Sequence, residues 1–148
     1  MKAAFLIGRM LFGGFFLYNG VNHFMNRKML SQYAGAKGVP NPEIAVPATG
    51  ALLLFGGASL LLGIKPRYGA AAILAFLLGV SPMMHDFWRI EDPNQRMNDQ
   101  INFFKNLALL GAALTLMSVR EPWPVSVPLG QPILLDRVRN LAKALVTI

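Results

Sequence analysis

The sequence has no cysteine, seven acidic residues and two histidines among its 148 positions. Without cysteine there is no disulfide framework, no thiol relay and no thiolate-held metal or iron–sulfur cluster. Charged residues make up 14% of the chain, against about 25% in an ordinary soluble domain, which argues against a water-soluble globule. Disorder is excluded by the opposite property, a 54% hydrophobic content, because disordered chains are poor in apolar residues. Also missing are a phosphate-binding glycine loop at a strand–helix junction, an HExxH pair and a serine elbow. The net charge of +7 comes from basic residues that flank apolar runs instead of forming a dense patch. Nucleic acid is therefore not expected as a partner, and a bilayer carrying anionic lipid is.

What is abundant is long apolar sequence. Four spans are expected, at about 5–24, 44–64, 68–88 and 101–119. A helix rises about 1.5 Å per residue, so roughly 20 residues cross a hydrocarbon core of about 30 Å. The runs are continuous, without the period-two alternation of barrel strands. The expected fold is all-α: an antiparallel bundle of four transmembrane helices over residues 1–120. The first run is too long for a signal-peptide core, and Tyr18–His23 offers no small-residue cleavage pattern, so it is read as a retained helix.

The connections carry further structure. The first is long enough for a short helix around Arg27–Ala36, stopped by Val39-Pro40-Asn41-Pro42, since proline disfavours helix at the residue before it. The second is only Lys65-Pro66-Arg67, which makes its flanking helices an antiparallel pair. The third, Trp88–Gln100, is polar and reads as a loop. A proline-rich linker comes next at 121–132. In the tail, 133–148, Leu134, Val138, Leu141, Leu145 and Ile148 recur at spacings of four and three beside Arg137, Arg139 and Lys143. That pattern predicts an amphipathic helix lying on the membrane or docked on a partner subunit.

Lysine and arginine set the expected orientation. The side holding the N-terminus, the second connection and the tail carries eight basic residues, and the other side carries six. The positive-inside rule then puts both termini in the cytoplasm.

This topology brings scattered polar residues to one membrane face. Asn19, Asn22, His23, His85, Asp86, Asn102 and Lys105 all fall at the outer level. Lys105 and Arg120 are 15 residues apart, roughly 22 Å of helix, so Lys105 starts inside the hydrocarbon boundary. A charge there costs on the order of 2.5–3.5 kcal/mol unless it snorkels or finds a partner. On the first span, Arg9, Gly13, Phe16, Gly20 and His23 form one stripe, joined by Asn19, which should face the bundle. On the fourth, Asn98, Asn102, Lys105 and Asn106 share a face.

Several roles fit this cluster. The groups can satisfy one another and hold the helix ends in register. His23, His85, Lys105, Asn22, Asp86 and Asn102 can also form a quinone or quinol site, with Phe24, Phe87, Trp88, Phe103 and Phe104 walling the ring. A histidine with a carboxylate could pass protons there. Copper(I) on the histidines with Met83, Met84 and Met25, or haem between the two histidines, has less in its favour, and no metal site is assigned.

The assembled motifs resemble those of the DoxX family of small four-helix membrane proteins over about residues 5–119. The matching pieces are Arg9–Gly13 with Phe16 and Asn22-His23-Phe24, then Tyr33–Pro40, Gly56-Gly57 with Leu61-Leu62-Gly63, and His85-Asp86-Phe87-Trp88. The most specific is Asn102-Phe103-Phe104-Lys105-Asn106-Leu107-Ala108-Leu109-Leu110-Gly111. The tail after Arg120 lies outside the resemblance. The resemblance implies an integral protein of a bacterial plasma membrane, associated with quinol oxidase, thiosulfate:quinone oxidoreductase or oxidative-stress complexes. Many relatives carry an acid in the second span shortly before the paired glycines, where this chain has Leu52-Leu53-Leu54-Phe55. If that acid serves proton or quinol chemistry, its loss weakens an enzymatic reading. The expected function is an accessory or quinone-contacting subunit of a membrane oxidoreductase assembly, with other membrane subunits as partners. A stand-alone quinone-linked oxidoreductase and a small transporter are the alternatives.

Overall fold

The computed structural model describes residues 2–127. Within them lie five α-helices: α1 (Lys2–Met25), α2 (Arg27–Ala36), α3 (Pro42–Leu62), α4 (Pro66–Met84) and α5 (Pro93–Ser118), with one 3-10 turn at Phe87–Arg89. All but α2 are long and apolar enough to cross a membrane, so the chain is an integral membrane protein with four candidate spans. The expected tail helix, 133–148, lies outside the described residues.

Proline and glycine punctuate the chain where its helices change. Pro42, Pro66 and Pro93 each open a helix, a position where the missing N–H costs nothing. Gly63 closes α3 in the left-handed region (φ 68°), as glycine does without steric penalty. Pro47 and Pro82 sit inside α3 and α4.

The third candidate span runs Pro66–Arg89, close to the expected 68–88: helix α4 ends at Met84, and after His85 and Asp86 the 3-10 turn completes it. One boundary differs from the sequence reading. The fourth starts eight residues earlier than Ile101: the Asp92 carboxylate accepts from the Gln95 N–H at 2.8 Å, with Pro93 at the first helical position. Most of the expected polar loop 88–100 is therefore the first two turns of α5. An Asp-Pro helix start outweighs the polarity of the residues after it.

Packing proceeds along the chain. α1 lies against α3, α3 against α4 and α4 against α5, while α2 rests on α3 and α1. The core is Phe16, Leu53, Leu60, Ile73 and Leu77, each essentially inaccessible, with Ala70, Ala113 and Trp123. Lipid is as apolar as leucine, so helices associate in it through close packing and not through a hydrophobic drive. The α1–α3 contact shows how close. A Cβ on Gly57 would fall 2.5 Å from the Leu17 amide nitrogen and 2.8 Å from the Gly13 oxygen, and one on Gly20 would fall 2.7 Å from the Leu54 nitrogen.

Of the α1 residues expected to face the bundle, Arg9, Gly13, Phe16 and Gly20 are buried, whereas Asn19 and His23 are half-buried. Arg9 fastens the segment after α5 to the bundle end. Its Nη1 donates to the Pro124 carbonyl at 2.9 Å, and its Nη2 to those of Val125 at 2.9 Å and Leu61 at 3.3 Å. The guanidinium carbon lies 6.0 Å from the centre of the Trp123 ring, which in turn meets Phe5 edge to face at 5.1 Å.

Candidate functional site

At the end of the molecule where α1 and α4 finish, a cavity of about 330 Å³ opens between the helices. His23 of α1, Val46, Thr49 and Leu52 of α3, and Phe76, Met83 and Met84 of α4 line it, and α2 with the turn after it closes one side through Leu30, Tyr33, Ala34, Val39 and Pro40. The wall is apolar but for a few groups, the usual character of a small-molecule site. Thr49 is satisfied internally, its hydroxyl donating back to Ala45 and Val46 at 2.9 and 3.0 Å.

Besides the Tyr33 hydroxyl, His23 is the remaining polar side chain of the lining. Its Nδ1 lies 2.7 Å from the Asn19 carbonyl oxygen one turn earlier. A carbonyl only accepts, so Nδ1 carries a proton, and whenever the ring is neutral its lone pair is on Nε2. Phe76 holds the ring edge to face at 6.1 Å. The imidazole is thus oriented by its own helix at the cavity wall.

Beside the cavity a half-buried ionic cluster ties the end of α2 to the end of α4 and to α5. Lys37 Nζ lies 2.5 Å from Asp99 Oδ2 and 4.0 Å from Asp86 Oδ1, and His85 Nδ1 lies 3.3 Å from Asp99 Oδ1. Asp99 is 3% exposed. Burial alone would lower the Lys37 ammonium's pKa, but the hydrogen bond and charge of Asp99 outweigh it and hold that pKa above its ordinary value. Ser31 and Arg27 anchor the other end of α2, donating to the carbonyls of Pro42 (3.3 Å) and Glu43 (3.0 Å).

The structure divides the residues expected to form one cluster among four places. His85 and Asp86 join the ionic cluster, and His23 lines the cavity. Asn102 and Lys105 pair on the outer side of α5, where Lys105 Nζ donates to Asn102 Oδ1 at 2.6 Å and Asn102 to the Asn98 carbonyl at 3.0 Å. Asn22 accepts from the Asn26 side chain at 2.6 Å. Asn106 turns inward and is buried. The aromatic residues Phe87, Trp88, Phe103 and Phe104 cluster with one another and not around the cavity. Among the described residues no three of His, Asp and Glu converge to hold a metal ion.

Lys37 and Asp99 are not among the residues expected from the sequence. The sequence does carry a signal for Asp99: once α5 starts at Pro93, Asp99, Asn106 and Ala113 stand seven residues apart on its buried face. Lys37 lies within the Tyr33–Pro40 motif, but nothing in its spacing marks it as a partner of a residue on α5.

Compared with known protein families, the chain matches the DoxX profile over residues 4–86, more than half its length. No curated protein and no solved structure matches it.

Proposed function

The chain belongs to the DoxX family, and from that premise we propose that it is an accessory, quinone-contacting subunit of a membrane oxidoreductase or electron-transfer assembly, with the ring received in the cavity beside α2. His23 carries this reading. Its free Nε2 suits the hydroxyl of a quinol: it accepts that hydrogen bond and can take the proton, while Nδ1–H stays on the Asn19 carbonyl. A bound quinol would bring two electrons and two protons to the assembly. The protein's own part is to bind the ring among apolar walls, orient one hydroxyl and hold one proton at Nε2.

The subunit role draws on the family resemblance and on α5, whose apolar stretch is only 11% buried against 22–39% for the other three. A helix so little used within its own bundle leaves room for a neighbouring chain. The test is purification in mild detergent, with quinone extracted and co-purifying chains weighed by mass spectrometry. The expected result is a partner in fixed ratio and quinone that is lost in His23→Ala. Partner-free protein with a full complement of quinone, or quinone retention unchanged in that variant, overturns the proposal.

A further inference from the structure

At the far end of α4 from the cavity, a second concavity lies between α3 and α4. Phe55, Ala58 and Leu62 of α3 and Ala72 of α4 wall a groove of about 590 Å³, with Lys65 and Tyr68 at one end of it. Ser59 also reaches the groove, but its hydroxyl donates to the carbonyls of Ile64 at 2.7 Å and Lys65 at 3.2 Å. The interior is therefore apolar in practice as well as in composition.

Tyr68 also borders a polar depression formed by Arg67, Arg120 and Glu121. The two hollows are thus neighbours that share Tyr68: Lys65 stands at the end of the apolar groove, and Arg67, Arg120 and one carboxylate, Glu121, stand around the adjoining depression; together they make the mouth of the groove. Glu121 is engaged by the Arg67 backbone N–H at 3.3 Å, and the Arg67 Nε donates to the Met117 carbonyl at 3.3 Å. Among the described residues neither arginine forms an ion pair with that carboxylate. The mouth keeps a net positive charge, and all three basic residues are exposed.

We propose that this place binds an anionic phospholipid, with an acyl chain in the groove and the phosphate against Lys65, Arg67 and Arg120. The groove belongs to two membrane-spanning helices, so its natural filling is hydrocarbon. Acyl packing alone would not choose among lipids, because every phospholipid has such chains. The choice comes from the charged mouth, as it does where basic pockets beside transmembrane helices hold acidic headgroups. The proposal is independent of the quinone reading, which concerns the other end of the molecule.

The test uses the full chain in nanodiscs of phosphatidylcholine with a minor fraction of phosphatidylglycerol. Lipids that remain bound on gentle release are counted by native mass spectrometry. Wild type should retain phosphatidylglycerol in excess of its share, and added salt should reduce that excess. Each basic residue contributes roughly fivefold, so K65Q/R67Q/R120Q should cut the anionic-to-neutral ratio at least tenfold. Ala58→Phe, which fills the groove, should lower retention of both lipids. In the tail, R137Q/R139Q/K143Q should leave the ratio within about twofold. The proposal fails if the mouth variant keeps the wild-type ratio, or if the tail variant alone abolishes it. It fails equally if folded Ala58→Phe protein retains lipid as wild type does. Should Ala58→Phe not fold, the two charge variants decide.

Discussion

Replacing Asp99 with asparagine removes the charge that fastens α2 to α4 and α5, and the consequence can be worked from the geometry. The Asp99 side chain is 5% exposed and that of Lys37 13%. Breaking a buried ion pair from one side costs about 3–5 kcal/mol, because the other charge is left without its partner. Two features reduce that here: Lys37 keeps some access to solvent, and Asp86 remains at 4.0 Å. A cost of about 2–3 kcal/mol, or roughly 30–150-fold in an opening equilibrium, is expected. It should fall on α2, since α4 and α5 keep their apolar packing, whereas α2 has only Ser31 and Ala34 buried. Hydrogen exchange by mass spectrometry in nanodiscs reads this directly: amides of residues 27–39 should exchange faster by that factor, with those of residues 53–60 unchanged. K37M/D99L, which removes both charges, should lose less than Asp99→Asn alone. Unchanged exchange in α2, or equal acceleration along all helices, would refute the view of the cluster as a local fastening.

Three other expectations rest on the same kind of contact. Lys37 has a raised pKa in the fold, so its contribution is fully present below the ordinary lysine value and is lost as pH rises through the higher folded one. Titration upward from neutral, followed by near-ultraviolet circular dichroism of Trp88 and its aromatic neighbours, should be flat until above about pH 10, and Asp99→Asn should bring the change to lower pH. Arg9→Ala removes three carbonyl contacts, and hydrogen bonds to charged groups contribute about 1.5–3 kcal/mol each at most; Trp123, 3% exposed in the fold, should show red-shifted, more quenchable fluorescence, with Arg9→Lys only partly correcting it. Gly57→Val should force α1 from α3 and destabilise the protein by about 1–3 kcal/mol, read as a lower unfolding temperature in detergent, whereas valine at Gly14, which has open space around it, should be tolerated.

How far the sequence can be read depends on how many residues carry each signal. Four spans are legible because some twenty consecutive apolar residues speak together, and the inward stripe of α1 because small and polar residues repeat with helical period. The short helix at Arg27–Ala36 is legible from the prolines that stop it. The start of α5 is harder, because a polar composition resembles a loop even though Asp92-Pro93 is a helix-start pair. Asp99 is hidden by that ambiguity. Topology gives the level of the polar residues along the membrane normal, but not their division into cavity, ionic cluster and outer face of α5, because topology sets height while packing sets azimuth. Lys105 illustrates the point: its depth suggests a partner across the bundle, and it finds one three residues away on its own helix, at Asn102.

Whether a quinone ring enters the cavity bordered by His23 and α2 decides the proposed function most directly. Photolabelling with an azidoquinone and peptide mapping of the labelled protein measure this. Label is expected on Leu30–Pro40 and on Met83 or Met84, suppressed by unlabelled quinol and weakened in His23→Ala. Label confined to the α3–α4 groove around Phe55 and Tyr68, or indifferent to competing quinol, would contradict it.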